Sequence, residues 1–433
     1  MKQRFNKYSH DLAWLAVDKC FEKKWHRNDV LSFVEEWTGI DRRELWRAEL
    51  EHNFIPRYAA IDSVALVLDD VVDGLMHGIE PDIDPVSTRP RPDGMTNKIR
   101  NIAYLCIMHQ LIGHVVKLGL DPLLRARLLP TQHASIPGHG QTRLTRQARR
   151  YLRCKGLGIR CHQKTDCTNA YGSMMYADII DMIRQEIPKA RWIIACLQFL
   201  GKMAPGGHLI IGGYLDAWLF NLALSYALRD TLRQGKTRRG RFIPYVERIE
   251  SFMDDCDMMA RTATGIKRAV KYLTAWMAAK YHVKVRLTTG IIYWLQPQEE
   301  RQRRSRASPA ARGCPGLDMG GYRIFRTHIT MRRRVAKRVI RAFSRAWTEY
   351  KRTGTLQRQR AVSIVCRHGP IANSSSAKFK AKYHVPELMR VSVRVFAYWQ
   401  RATRRKRKEK MQNAVYQRAS HPGAQPCAAG APA

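Results

Sequence analysis

The stretch "SFMDDCDMM", residues 251–259, places two adjacent carboxylates, Asp254 and Asp255, inside a run of otherwise apolar or small residues. A strand-like run, "YVERIESFM" (245–253), precedes the pair, and a second apolar run, "CDMMA" (256–260), follows it. This order predicts a β-hairpin whose turn presents both side chains at a sheet edge. Adjacent like charges are costly unless a cation compensates them, so the pair is either a divalent-metal site or a polar surface turn.

A third carboxylate favours the metal site. "GIRCHQKTD" (158–166) is typical of a strand and ends in Asp166, and an amphipathic helix, "YADIIDMIRQEI" (176–187), follows it. One Asp at a strand end and two in a hairpin are the arrangement that in-line phosphoryl transfer with two metal ions requires.

The composition points to a polyanionic partner. The chain has 433 residues, 45% of them hydrophobic, which is enough for two or three domains. Its 76 Lys and Arg against 36 Asp and Glu give a formal net charge of +40, for which nucleic acid is the first candidate partner and an anionic membrane surface the second. No stretch approaches the roughly 20 apolar residues of a membrane span, and "MKQRFNKYSH" has no signal-peptide core. We therefore expect a cytoplasmic protein with no membrane partner.

The ten cysteines include no C-x-x-C pair. The nearest approach to a zinc pattern is Cys154, Cys161, His162 and Cys167. Reduced thiols in a cytosolic protein are the favoured interpretation, and a zinc site is the alternative.

Local patterns divide the chain into segments. The first 80 residues indicate helices, among them "NDVLSFVEEWTG" (28–39) with Gly39 as its stop, and the proline-rich stretch 79–95 marks a boundary. Strand-like runs then alternate with helical ones up to residue 260, which predicts an α+β or α/β arrangement. These runs include a strand at "NKIRNIAYLCI" (97–107), a strand-like "HLIIGGY" (208–214) and a helix at "DAWLFNLALSYALRDTL" (216–232).

The C-terminal part is basic and helical. "RQRRSRASPAARGCPG" (301–316) indicates an exposed linker, and "MRRRVAKRVIRAFSRAW" (331–347) has an apolar helical face surrounded by arginines. A further helix begins near Pro386. The final residues have no periodicity and are expected to be disordered.

Three segments in this order resemble motifs A, B and C of the reverse transcriptases, specifically the bacterial group of group II intron, retron and diversity-generating retroelement enzymes: "KTDCTNAYGS" (164–173), "IGGYLDAWLFNLALS" (211–225) and "SFMDDCD" (251–257). The resemblance extends to a fingers segment, the loop after it, and a primer-grip turn that leads to a thumb: "DGMTNKIRNIAYLCIMHQLIGHVV" (93–116), "HASIPGHGQ" (133–141) and "LDMGGYRIFRTHITMRRR" (317–334). Ordered motifs over residues 91–345 are more specific than any single motif.

The resemblance implies an α+β right-hand polymerase. The expected parts are a helical N-terminal extension, fingers, a palm with the polymerase motifs, a basic helical thumb and a disordered tail, at residues 1–90, 91–150, 151–325, 326–410 and 411–433. The implied activity is RNA-directed DNA polymerisation by two-metal nucleotidyl transfer in a mobile or retroelement-like system. The implied cofactor is Mg²⁺, two ions, with Mn²⁺ as a substitute, and the implied partners are an RNA template, a DNA or RNA primer and deoxynucleoside triphosphates.

The resemblance also assigns residues. Asp166 and Asp254 would bind the two metal ions, with Asp255 completing the carboxylate set. Tyr171 matches the steric gate that excludes a ribose 2′-hydroxyl, although a core tyrosine at a helix start is the alternative. The remaining matches are Lys98 and Arg100 for the triphosphate, Gly212 and Gly213 for close backbone approach to template and nucleotide, Asn221 for a hydrogen bond on the next helix, and Gly320, Gly321 and Tyr322 for the primer-grip turn.

Several positions depart from the family pattern. Phe252 stands where a Tyr usually precedes the paired Asp, and Asp216 and Ala217 replace a Ser and a following Pro or Gln, which predicts an extra acid near the nucleotide pocket. The lysine expected near the pyrophosphate has two candidates, Lys284 and Arg286.

Two other functions compete with polymerisation. "DDVVD" (69–73) matches the D-D-x-x-D of polyprenyl synthases, although we prefer Asp69, Asp70 and Asp73 as the solvated face of a helix. The second is a catalytically idle, maturase-like RNA-binding factor on a degenerate polymerase fold.

Overall fold

The computed structural model describes residues 4–51, 53–92, 99–154, 158–293 and 316–419. The chain divides into two compact units, one of Met1–Gly320 with Ile324–Thr327 and one of Gly321–Arg323 with His328–Ala433. The boundary expected between palm and thumb, at 325–326, lies in this stretch. Within the described ranges, no helix is long and apolar enough to cross a bilayer.

The first unit begins with four helices, α1 His10–Phe21, α2 Asn28–Thr38, α3 Arg42–Glu51 and α4 Ile55–Met76. The predicted helix at 28–39 is confirmed, and Gly39 ends it in the left-handed conformation at φ 72°. An antiparallel pair of strands follows, β1 Ser87–Pro92 and β2 Ile99–Tyr104. The two prolines of β1 are tolerated because the strand is exposed and at an edge.

Helices then surround a central sheet. Their bounds are α5 Ile107–Arg127, α6 Gln141–Arg153, α7 Ala170–Ser173, α8 Tyr176–Glu186, α9 Arg191–Met203, α10 Tyr214–Leu232 and α11 Ala263–Tyr281. The strands of this part are β3 Cys161–Thr168, β4 Gly235–Arg238, β5 Arg241–Pro244, β6 Arg248–Phe252, β7 Asp255–Ala260, β8 Lys284–Leu287 and β9 Ile292–Tyr293.

The central sheet is antiparallel, in the order β6-β7-β3-β8, with β9 also pairing with β3. Helix α11 packs on β3, β7 and β8, and α10 packs on β6 and α11. This mixture of helices and antiparallel strands agrees with the predicted α+β class.

The N-terminal helices share the core of the sheet-bearing part. Helix α1 packs on α4 and α5, and α4 and α5 both pack on α9. One cluster of buried apolar side chains runs from Ala13 in α1 to Val285 in β8. The N-terminal helices therefore contribute directly to the scaffold that carries the sheet.

One predicted strand is absent. The segment 208–214 contains a single bridge residue, His208, and a turn before α10, where the sequence predicts a strand. Gly212 has φ +111°, a conformation that only glycine adopts readily and that a regular strand does not contain. The apolar residues Leu209 and Ile210 are buried in the core instead of pairing in a ladder.

The second unit is mainly helical. Its elements are the strand β12 Ile329–Met331 and the helices α12 Arg333–Thr353, α13 Arg358–Ala372, α14 Ala377–Lys382 and α15 Val385–Ala419. The strand β10 Leu317–Met319 belongs to the first unit, and β11 Tyr322–Ile324 lies at the boundary between the units. Helices α12, α13 and α15 enclose their own apolar cluster around Phe343, Ile364 and Leu388. Helix α15 continues to Ala419, so the prediction of disorder from residue 411 was wrong for 411–419. The linker predicted at 301–316 lies outside the described residues except for Gly316.

Candidate active site

The three predicted metal ligands lie at one end of the central sheet. Asp166 on β3 pairs directly with Asp255, the first residue of β7. Asp254 immediately precedes it in the β6–β7 turn, where Met253 has φ +55° and the Cys167 amide donates to the Asp254 carbonyl at 3.3 Å. Phe252 closes β6 opposite Asp255. The strand-end carboxylate and the hairpin carboxylates therefore form one cluster.

Two of these carboxylates are held by cations. Arg286, the register partner of Asp166 on β8, donates from Nε to Asp166 Oδ2 at 2.7 Å. Lys164 lies two residues before Asp166 on the same face of β3, and its Nζ donates to Asp255 Oδ2 at 2.7 Å. Asp166 and Asp255 thus each have a specific positive partner within the sheet.

Asp254 is electrostatically different from its neighbours. Within the described parts of the chain, no cation lies within ion-pair distance of its side chain. Burial, together with the negative charges of Asp166 and Asp255, raises the pKa of Asp254 to about 6, although the positive charge of Arg100 opposes the shift. An acid with this environment gains most from a bound cation.

The fit of the cluster to a metal ion is incomplete in the observed arrangement. Among the described residues, no three His, Cys, Asp or Glu side chains form a group that could hold a metal ion. Asp166 and Asp255 are bound to Arg286 and Lys164, which accounts for oxygen atoms that a metal would need. The donor chemistry and the unbalanced charge of Asp254 fit Mg²⁺ or Mn²⁺, whereas the side-chain orientations favour the two internal cations.

A row of buried histidine–carboxylate contacts continues from the cluster, and sequence reasoning missed it. His162 Nδ1 lies 2.8 Å from Asp257 Oδ1, and His133 Nε2 lies 2.5 Å from Glu250 Oε2, with all four side chains almost completely buried. Burial raises the pKa of both acids. The sequence signal was the period-two spacing of polar residues from His162 to Asp166 and from Asp255 to Asp257, which places them on one face of the sheet.

The zinc alternative finds no geometric support at His162, because this residue pairs with Asp257. Cys161 and Cys167 are buried and Cys154 is exposed. The eight cysteines of the described ranges are all free thiols.

Tyr171 lies beside the carboxylate cluster. It is the second residue of the single-turn helix α7, which begins directly after Asn169, a residue with φ +49°. Its ring stacks on the ring of Phe220 of α10, with the two ring centroids 5.3 Å apart. Burial raises the pKa of its hydroxyl, and the negative charges of Asp216 and Asp254 add to the shift. The side chain is partly exposed.

The glycines of the 210–213 turn make close contacts within the protein. The Ile211 carbonyl accepts a hydrogen bond from the Ala103 amide of β2 at 2.8 Å. A Cβ at Gly212 would lie 3.1 Å from the Ala103 carbonyl oxygen. Gly212 therefore allows close approach of strand β2, whereas the sequence predicted approach of template and nucleotide.

Asp216, which was expected to add an acid near the nucleotide pocket, makes its hydrogen bonds within the protein. Its side chain is 2% exposed, and Oδ1 accepts hydrogen bonds from the Ile210 amide at 2.9 Å and the Tyr176 hydroxyl at 3.1 Å. The carboxylate therefore faces the turn and the core.

Asn221 makes its contacts inside the scaffold. Its Nδ2 donates to the Ala134 carbonyl at 3.0 Å, and its own carbonyl accepts from Gln132 Nε2 at 2.7 Å. The side chain is 1% exposed, so it fixes the 132–134 segment beside the sheet.

The remaining candidates are placed as follows. Arg100 is an exposed residue of β2, and Lys98 lies outside the described residues. Lys284 is exposed on β8, whereas Arg286 is bound to Asp166. Gly320 and Gly321 form a turn with φ values of 57° and 86°, and the buried Tyr322 accepts a hydrogen bond from Asn373 Nδ2 at 3.4 Å.

The acidic cluster on α4 is separate from the sheet. Asp69 accepts a hydrogen bond from the Tyr8 hydroxyl at 2.7 Å and lies 2.6 Å from His10 Nδ1, so both its oxygens are engaged. Asp70 and Asp73 are exposed, as expected for a solvated helix face. Asp69 instead attaches the N-terminal segment to α4.

No family model matches the chain, and a search of curated proteins found no similar sequence.

Proposed function

We propose that the chain is an RNA-directed DNA polymerase that extends a primer by nucleotidyl transfer at Asp166, Asp254 and Asp255. The observation that carries the proposal is the meeting of these three carboxylates at one sheet end, with one on a strand and two in a hairpin. The order of the three motif-like segments along the chain adds to it, as does the net charge of +40, which suits a nucleic-acid substrate.

The chain's own residues supply binding and charge. Two Mg²⁺ ions, or Mn²⁺ in their place, held by the three carboxylates would activate the primer 3′-hydroxyl and offset the charge of the triphosphate. Lys164 and Arg286, which hold Asp255 and Asp166, would have to release or share these carboxylates when metal ions bind. Arg100, whose positive charge acts on Asp254, would attract the triphosphate.

Tyr171 would choose the sugar. Its partly exposed ring stacks on Phe220, and the charge of Asp254 raises the pKa of its hydroxyl, which supports a role beside a nucleotide bound at the carboxylates. The basic helices of the second unit would follow the backbone of the product duplex by charge. We place this activity in the cytoplasm, in a mobile or retroelement-like system.

A primer-extension experiment tests the proposal. The purified protein is given a primer on an RNA template and on a DNA template of the same sequence, with dNTPs and then with NTPs, in Mg²⁺ and in Mn²⁺. We expect extension with dNTPs on RNA, and its loss in Asp254→Asn, because that substitution removes one carboxylate charge without removing packing volume. Asp70→Asn, the same change at an exposed acid of α4, is the matched control and should extend normally.

The alternatives give different results. Tight RNA binding by wild type, with no extension on either template, would indicate the idle, maturase-like factor. Turnover of isoprenyl diphosphates that is lost in Asp70→Asn would indicate the prenyl synthase. The engagement of Asp69 by Tyr8 and His10 argues against the latter, because that activity needs the carboxylates one turn apart to be free for metal.

A further inference from the structure

The first helical turn of α10 carries a buried acid for which the proposed catalytic centre has no use. Asp216 is its third residue, and its Oδ1 accepts hydrogen bonds from the Ile210 amide, four positions before the start of the helix, and from the Tyr176 hydroxyl of α8. A Cβ on Gly213 would lie 1.8 Å from Asp216 Oδ2, so the carboxylate fills the space against the turn. Asp216 thus holds residues 210–213 against the first turn of α10.

The turn held by Asp216 is the surface on which strand β2 lies. The Ala103 amide donates to the Ile211 carbonyl at 2.8 Å, and Gly212 has no Cβ to separate the two backbones. A Cβ there would also meet Ile102 Cγ2 at 3.2 Å. The position of β2 therefore depends on the conformation of residues 210–213.

Strand β2 also carries Arg100, which is exposed. Arg100 is three residues before Ala103, and its charge acts on Asp254 across this part of the fold. Movement of β2 would change the distance between the guanidinium and the carboxylates, and with it the space for a triphosphate.

We propose that Asp216 is a positioning residue that fixes the 210–213 turn, seats strand β2 on it, and so sets the affinity for the incoming nucleotide. The inference rests on the proposed polymerase function for its nucleotide part. The seating of β2 can be tested without catalysis. A buried carboxylate that accepts two hydrogen bonds is costly to place in a core, which argues for a specific contribution to the turn.

The first measurement is hydrogen–deuterium exchange of peptides covering 99–104 and 208–213. In Asp216→Ala, both peptides should exchange at least about tenfold faster than in wild type, since a hydrogen bond to a charged group is worth that factor or more. Peptides of β3 and β7 should keep their protection. Asp216→Asn retains an oxygen that can accept from Ile210, and it should restore slow exchange in both peptides. Tyr176→Phe removes only the second hydrogen bond and should affect both peptides less than Asp216→Ala.

The second measurement is steady-state extension with a varied dNTP. For Asp216→Ala we expect KM for the dNTP to rise about tenfold while kcat changes little, and Asp216→Asn to restore KM. A general loss of folding would instead lower kcat and protection throughout the chain.

Two results would overturn the proposal. Faster exchange in 208–213 without any change in 99–104 would show that β2 is seated by other contacts. An unchanged KM, or an Asn variant as impaired as the Ala variant, would remove Asp216 from nucleotide positioning. If wild type extends no primer at all, the polymerase proposal fails, and the exchange experiment still decides whether Asp216 seats β2.

Discussion

At the scale of single residues, the candidate site is a cluster of acids with unequal surroundings. Asp166 and Asp255 are neutralised by Arg286 and Lys164, whereas Asp254 is not, and burial raises its pKa to about 6. A folded-state pKa above the ordinary value of an unfolded Asp means that folding favours the protonated acid. The ionised side chain therefore costs stability, and this cost grows as the pH rises from about 4 through 6.

Asp254→Asn should consequently stabilise the protein without metal. At neutral pH we expect the free energy of unfolding to rise by about 1 to 3 kcal/mol, since a shift of about two pKa units corresponds to that range after allowance for partial exposure. Near pH 4 the difference should vanish, because the wild-type acid is then protonated as well. Denaturant unfolding in chelator at both pH values measures it. Asp70→Asn, the same substitution at an exposed acid of α4, is the control, and a destabilised Asp254→Asn at neutral pH would contradict the charge argument.

Tyr171 should control sugar choice. Replacing it with Ala opens the space above Phe220, so a ribose 2′-hydroxyl no longer clashes, and discrimination against NTPs should fall by one to two orders of magnitude, about 1 to 3 kcal/mol. The measurement is the ratio of kcat/KM for a dNTP to that for the matching NTP on one RNA template. Tyr171→Phe keeps the ring and should keep the ratio. An unchanged ratio in Tyr171→Ala would make Tyr171 an ordinary core tyrosine.

At the scale of elements, the strands that carry the acids could be predicted and their partners could not. The β6–β7 hairpin and the strand that carries Asp166 follow from period-two patterns and a turn, which are local properties of the sequence, although the strand continues to Thr168 and not only to Asp166. The pairing of Asp166 with Arg286, 120 residues away, depends on the placement of β8 beside β3, which no local pattern states.

The dependence on long-range packing also explains why the strand predicted at 208–214 is absent. Residues 208–214 have the apolar character of a strand, but Gly212 and the contact with Ala103 make them a turn against β2. The buried positions of Asn221 and Asp216 likewise arise from long-range hydrogen bonds, to Ala134 and to Tyr176. A resemblance between motifs predicts the order of such residues along the chain. The direction of each side chain depends on how the whole fold packs.

Strand β8 offers a prediction about metal affinity. Arg286 competes with a cation for Asp166, so Arg286→Gln should tighten Mn²⁺ binding about two- to fivefold, as expected for a partly exposed ion pair worth up to roughly 1 kcal/mol. Titration calorimetry of the protein alone with Mn²⁺ measures it without any catalytic step. Lys284→Gln removes the same charge from an exposed position on the same strand and is the control. Equal shifts in both variants would show a general effect of net charge and not a specific pairing.

At the scale of the whole molecule, positive charge is concentrated in the C-terminal quarter. Residues 328–433 contain 25 Lys and Arg against 3 Asp and Glu, an excess of 22 out of the total of +40. Part of this charge lies along one side of helix α12. Val335, Val339 and Phe343 are buried on one side of the helix, and four exposed cations, spaced four residues apart, lie on the opposite side. We call these the α12 row: Arg333, Lys337, Arg341 and Arg345.

The α12 row should contact the backbone of a bound duplex. Each phosphate contact releases condensed counterions, so replacing all four residues with Gln should weaken RNA–DNA binding and reduce the slope of log K against log salt by about 2 to 4. Fluorescence anisotropy over a salt series measures both quantities. A control variant removes four exposed cations from the N-terminal helices and their connections: Lys19, Lys23, Arg43 and Arg47. It lowers the net charge equally and should leave the slope nearly unchanged. If both variants reduce the slope alike, binding follows total charge, and the α12 row makes no specific contact with the duplex.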